Sequence, residues 1–135
     1  MAFHLDIVTP EKKTFSDDVD SVVVPGIDGE FGVLTNHAAL VTVLKPGELR
    51  YTKGAETVEL AVGEGLVEVL GDRVSILTDL AVTHHEIDED VVQKALDRAK
   101  LSLEELSGEE ELAAVQAAIQ KSMAQLHLKR KRRHL

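Results

Sequence analysis

Apolar and polar residues alternate in short stretches through the first part of the chain. Phe3-His4-Leu5-Asp6-Ile7 puts Phe3, Leu5 and Ile7 on one face of a strand. Ser21 to Val24 is a β-branched run that stops at Pro25-Gly26, and Leu40 to Val43 is another that stops before Pro46-Gly47. Thr57 to Val62 alternates again, and Leu66 to Leu70 turns at Gly71-Asp72 into Val74 to Leu77. Short strands punctuated in this way predict a sandwich or barrel, whose two-faced core the Val, Leu and Ile residues fill.

The pattern changes near His84-His85-Glu86-Ile87. Beyond it the only glycine is Gly108 and proline is absent. Asp88 is a candidate helix cap, with Glu89 and Asp90 suited to the first turn. Val92, Ala95 or Leu96, Ala99, Leu103 and Leu106 recur at helical spacing. Ser107-Gly108 breaks the pattern, and Ser107 with Glu110 is a candidate capping box for a second helix. There Leu112, Val115, Ile119, Met123 and Leu126 form the expected apolar stripe, and Ala113, Ala114, Ala117 and Ala118 leave a thin surface for close packing. The two helices are expected to fold back as an antiparallel hairpin. A hairpin this narrow is marginal alone, so it needs a surface to lie on, either the sandwich or a partner. The fold class is thus α+β: an antiparallel β-sandwich over residues 1–86, then a helical hairpin over 87–135.

Composition narrows the function. The chain has 135 residues, no cysteine and no tryptophan, so disulfides and thiolate metal sites are excluded. No run approaches the ~20 apolar residues that span a bilayer, and Met1 leads into a strand-like run, so no processed leader is expected. The net charge of −9 argues against a nucleic-acid binder. Lys129, Arg130, Lys131, Arg132 and Arg133 nevertheless form a basic cluster beside the C-terminus. A basic end on an acidic body is expected to seek acidic protein surface, including that of its own domain.

Candidate chemistry is sparse. The chain lacks a Gly-x-Ser-x-Gly elbow, a Walker-type phosphate loop and a His-Glu-x-x-His motif. His84 and His85, read as neighbours in a strand, point to opposite faces, and no second cluster completes a metal shell. The glycine-rich stretch Pro25 to Leu34 reads as a turn-forming loop. Asp28 and Glu30 would repel phosphate, and no helix follows to receive it. Such a loop suits protein docking. A small sandwich enzyme would need convergent polar residues in a cleft, which the sequence does not offer; a generic assembly adaptor is the third reading.

Val23-Val24-Pro25-Gly26, Gly29-Glu30-Phe31-Gly32-Val33-Leu34, His37 and Pro46-Gly47 together resemble the epsilon subunits of bacterial and chloroplast F-type ATP synthases, called delta in mitochondria. Leu5 to Pro10, Gly65 to Val69 and Val74 to Leu77 are similar to the family's opening and closing strands. The resemblance implies a flattened sandwich of about ten strands followed by a helical hairpin. It implies no catalytic site and no cofactor, but a rotor-stalk subunit that couples c-ring rotation to the catalytic head. The implied partners are the gamma subunit, the c-ring and, transiently, the alpha and beta subunits. Its place would be peripheral, on the cytoplasmic face of a bacterial plasma membrane or the stromal face of a thylakoid.

By motif position Glu30, Phe31 and His37 fall at the c-ring and gamma interface. The hairpin is the implied inhibitor of ATP hydrolysis, with Lys121, Lys129, Arg130, Lys131, Arg132 and Arg133 meeting the catalytic subunits. Some members bind ATP through Ile/Leu-Asp-x-x-Arg-Ala. Here Ile87 and Asp88 remain, but Val91 and Val92 replace Arg and Ala, and Arg98 lies later on the helix. Losing the arginine removes a bidentate phosphate donor, so strong ATP binding at Asp88 and Arg98 is not expected.

Overall fold

A computed structural model describes residues 2–11, 13–35, 37–105 and 108–133. The strands are β1 (Phe3–Val8), β2 (Lys13–Val19), β3 (Ser21–Gly26), β4 (Gly29–Val33), β5 (Leu40–Leu44), β6 (Gly47–Lys53), β7 (Glu56–Val62), β8 (Gly65–Leu70), β9 (Arg73–Thr78) and β10 (Ala81–Thr83). One turn of 3-10 helix at His84–Glu86 leads to α1 (Glu89–Glu105) and α2 (Glu109–Arg133). The ten strands join in the order β10-β7-β6-β3-β5-β8-β9-β1-β2, with β4 on β3.

This ribbon folds into two layers. β3 pairs with β6 through Ser21, Val22 and Val23 but with β5 only at Gly26–Leu44, and there one layer passes into the other. At the opposite side Phe15 of β2 stacks on Tyr51 of β6, with ring centroids 4.4 Å apart. Leu5, Ile7, Val22, Val24, Leu44, Leu49, Val62, Val67 and Ile76 fill the space between the layers and are fully buried. Pairing is antiparallel except between β1 and β9, which run parallel from His4–Arg73 to Val8–Leu77.

Several sequence expectations change. Pro25 to Leu34 is not a loop: β3 runs on through Gly26, turns over Ile27-Asp28, and returns as β4. Gly29 has φ 126°, which a side chain would resist, and a Cβ at Gly26 would strike the Phe31 ring. β2 and β6 had no clear alternation and are additional strands. His84 and His85 lie in the 3-10 turn rather than a strand, with ring centroids 4.4 Å apart.

Asp88 caps α1 as expected: its Oδ1 accepts the backbone N–H groups of Asp90 at 3.1 Å and Val91 at 3.2 Å. The Ser107–Glu110 capping box lies outside the described residues. The stripe on α2 needs correction. Met123 is 53% exposed and Leu112 is exposed as well, whereas Ser122, Ala124, Leu126 and Leu128 are buried. Positions two apart on a helix face nearly opposite ways, so this spacing marks a helix covered on two sides. α2 lies between α1 and the outer face of β6 and β7.

Candidate docking surfaces

The two layers have different outer faces. On β6 and β7 the outward positions are Glu48, Arg50, Glu59 and Ala61; the hairpin lies over Glu48, Glu59 and Ala61, and Arg50 stays exposed. Ala61 is small enough to admit the helix and joins a second apolar cluster with Ile87, Val92, Leu96, Leu126 and Leu128, against which Val82 and Ile119 pack. Around this cluster the contacts are ionic. Lys121 pairs with Asp79 at 3.2 Å, and His127 Nδ1 lies 2.5 Å from Glu48. Lys131 reaches Glu48 at 3.1 Å and Glu59 at 2.6 Å. Lys129 donates to the His84 carbonyl, and Arg130 donates to Glu89 and Gln93 of α1. The basic end therefore does meet acidic surface of its own domain; the Arg132 and Arg133 side chains lie outside the described residues. The Glu59 carboxylate, seconded by Glu48, raises the Lys131 ammonium above its ordinary pKa against the opposing effect of burial.

The outer face of β5, β8, β9 and β1 carries no element of this chain's described residues. Ile27, Val43, Leu66 and Leu77 are between 44% and 56% exposed there. They form a row, because the Ile27 N–H bonds the Val43 carbonyl, Val43 pairs with Leu66, Leu66 with Leu77, and Leu77 with Val8. Val41 adds a further exposed apolar side chain beside it. A contiguous apolar row on one side of a small domain is a docking feature.

The same sheet face turns polar at its other end. Asp6 is buried and accepts from Ser16 at 2.6 Å, with His4 at 3.2 Å, Arg73 at 3.2 Å and Lys13 at 3.8 Å. The Ser16 hydroxyl, aided by Lys13 and His4, holds the carboxyl below its ordinary pKa although burial opposes this. A depressed folded pKa stabilises the fold above the unfolded carboxylate value of about 3.9, and that contribution is lost as pH falls through the folded value. Asp6→Asn should cost on the order of 1 kcal/mol at neutral pH and flatten the loss of stability below about pH 4. Urea midpoints measured across that range test this; unchanged slopes would remove Asp6 from the acid transition.

The other candidate residues do not form one site. Glu30 stands on β4 and pairs with Arg50 at 3.4 Å. Phe31 packs partly against the sandwich core. The His37 ring lies 2.7 Å from the Ala38 carbonyl. Glu30 and Phe31 are thus on the strand leading from the Ile27 turn, beside the apolar row. Asp88 is committed to its capping bonds, and Arg98 is exposed on α1. Among the described residues no group of three or more His, Asp or Glu side chains is placed to hold a metal. No described helix is long and apolar enough to cross a membrane. Glu48 and Glu59 escaped the sequence reading: they are ordinary outward strand positions, marked only by flanking the small outward Ala61.

Comparison with known proteins decides the family. The model of the ATP synthase delta/epsilon chain β-sandwich domain matches residues 2–84, and that of the delta/epsilon long α-helix domain matches residues 85–129. This chain belongs to the ATP synthase delta/epsilon family. The ATP synthase epsilon chain of Herpetosiphon aurantiacus is 37% identical over 99% of this chain and 98% of its own. That of Syntrophobacter fumaroxidans is 44% identical over 94% and 95%, and that of Chloroflexus aggregans 44% over 95% and 92%. The fold matches a chain of the Euglena gracilis mitochondrial ATP synthase with TM-score 0.75 at 24% identity, covering 91% of this chain and 78% of that one. It also matches a chain in the central stalk and c-ring structure of the Tetrahymena thermophila enzyme, with TM-score 0.67 at 16% identity over 96% and 94%. A delta/epsilon chain is a non-catalytic subunit of the F-type ATP synthase, a complex tied to the membrane, and takes part in ATP synthesis through that complex.

Proposed function

We propose that this chain is the rotor-stalk subunit that joins gamma to the c-ring, with residues 1–86 as the docking domain and residues 87–135 as a regulatory hairpin. The observation that carries this reading is the uncovered row of Ile27, Val43, Leu66 and Leu77. The hairpin occupies the opposite layer, so docking through this row leaves the hairpin unobstructed. Gamma takes the apolar row, and Glu30, Phe31 and His37 around the β3–β4 strands face the c-ring. The subunit then sits on the cytoplasmic or stromal side of the membrane without entering it.

The hairpin supplies regulation. Its helices are held to the sandwich by a small apolar cluster and a ring of ion pairs, a combination weak enough for exchange between two docking surfaces. Away from the sandwich, Lys121, Lys129, Arg130, Lys131, Arg132 and Arg133 meet acidic surface on the alpha and beta subunits and oppose ATP hydrolysis. No nucleotide controls this exchange through Asp88 and Arg98, because Asp88 is bound to the helix start and Val91 offers no charge.

A chain truncated after Gly108, reconstituted into the complex, tests both halves of the reading. It should still be recovered with gamma and the c-ring, and ATP hydrolysis should rise severalfold. Unchanged hydrolysis would remove the inhibitory role, and loss of recovery would move the docking surface to the hairpin.

A further inference from the structure

The outer face of β6 and β7 places two carboxylates where α2 must land. Glu48 lies opposite Ala61 and Glu59 opposite Arg50 in the ladder, so the two glutamates are diagonal neighbours on one face. Diagonal positions in an antiparallel pair lie about 7–8 Å apart, within reach of one long side chain but far enough to leave room between them. Arg50, which could have neutralised Glu59, turns to Glu30. Into the gap comes Lys131, whose Nζ contacts both carboxylates. Glu48 and Glu59 retain only 20% and 18% side-chain exposure beneath it. A second side chain on the same helix, His127, approaches Glu48 one turn earlier.

We propose that Glu48 and Glu59 form a two-carboxylate clasp that captures Lys131 and thereby sets what fraction of the hairpin is docked on the sandwich. Two features make the clasp decisive rather than incidental. The apolar cluster it adjoins is small, and the α2 surface at Leu112, Ala113 and Ala114 is exposed, so the clasp acts beside the buried Leu126 and Leu128 to hold the second half of α2 down. When the hairpin leaves, Glu48 and Glu59 lose their shared cation and Lys131 loses both acceptors. Part of the cost of opening is thus carried by one side chain near the end of α2. Lys131 also belongs to the basic run assigned above to the catalytic subunits, so the clasp competes with that contact. The competition rests on the proposed function; the clasp itself does not.

The full chain alone can test it. With no native cysteine, Ala55→Cys and Ala113→Cys place two dyes at exposed positions, one on the β6–β7 turn and one on α2. Energy transfer along a urea ramp reads undocking, and fluorescence of Tyr51, the only tyrosine, reads the sandwich in the unlabelled chain. Glu48→Gln with Glu59→Gln should raise the undocked-to-docked ratio about fivefold or more. Lys131→Met keeps the apolar stem and should do the same. Exchanging the charges, Lys131→Glu with Glu59→Lys, should recover part of the docking that Lys131→Glu alone removes. The Tyr51 transition should not move with Lys131→Met. The clasp is refuted if Lys131→Met and the double glutamine variant both stay within twofold of the parent, or if undocking and sandwich unfolding coincide in the parent chain. Either failure leaves the truncation experiment in the reconstituted complex standing.

Discussion

Gly65→Ala is expected to destabilise the sandwich by about 3 kcal/mol or more, a large share of the roughly 5–15 kcal/mol that a small domain possesses. Gly65 opens β8, which lies in the middle of its layer between β5 and β9 and pairs Gly65 with Leu44 on one side and Thr78 on the other. A Cβ there would sit 1.7 Å from the Leu77 carbonyl oxygen and 2.8 Å from the Thr78 Cα. Both are backbone atoms, so no rotamer change relieves the clash, and β8 and β9 must part. The backbone of Gly71 makes the contrast: its φ of 63° disfavours a side chain, yet nothing lies within 4 Å of its Cβ position. Gly71→Ala should therefore cost only about 1–2 kcal/mol of conformational strain. Calorimetric melting distinguishes the two, with a fall of about 10–20 °C or more for Gly65→Ala at the usual 4–8 °C per kcal/mol. A fall below about 5 °C would mean that β8 and β9 separate freely at this point.

Leu128→Ala should release the hairpin and leave the sandwich intact. Leu128 is fully buried, and its cluster of Ala61, Ile87, Val92, Leu96 and Leu126 is separate from the one between the layers. Truncating a buried leucine costs about 2–5 kcal/mol, which falls wholly on the hairpin's attachment. Hydrogen exchange should then quicken throughout the second half of α2, while the amides of Val67 and Ile76 stay protected. Uniform loss of protection would show that the two clusters melt as one.

The strands that sequence revealed best are those with one face in the core and one outside. β8 shows this most plainly, with Val67 and Val69 buried between exposed positions; β7 alternates in sequence, although Leu60, Ala61 and Val62 are all buried because α2 covers its outer face. β2 was hidden because its burial is slight: Lys-Thr-Phe-Ser-Asp-Asp-Val is an edge strand with only Val19 buried. β4 was hidden by its two glycines: Gly29 serves the turn with its positive φ, and Gly32 stands in the strand without breaking it. On α2 the error was physical in another sense. A single stripe describes a helix with one covered side, and Met123 was placed in it; α2 is covered on two sides, so alternate residues are buried and the apparent amphipathicity cancels. Glu30 and Phe31, expected at an interface, stand on the strand next to the exposed apolar row. Val43, Leu66 and Leu77 carried no signal, because an outward apolar residue on a strand looks the same in sequence as an inward one. Which basic residues touch which acids was beyond reach for the same reason: Lys131 meets Glu48 and Glu59 across more than half the length of the chain.

The parallel pairing of β1 with β9 has a consequence for how the chain is made. β1 leaves the ribosome ahead of both strands that flank it, and β2 can cover one of its edges almost at once. Its other edge waits for Arg73 to Leu77. At about 5–20 residues per second, that edge stays open for several seconds of synthesis. Through that interval β1 has one unpaired edge, and the strand is a template for any neighbouring chain. The polar residues His4 and Asp6 that interrupt it, so unpromising as core, are what keep the nascent strand from being a continuous apolar edge.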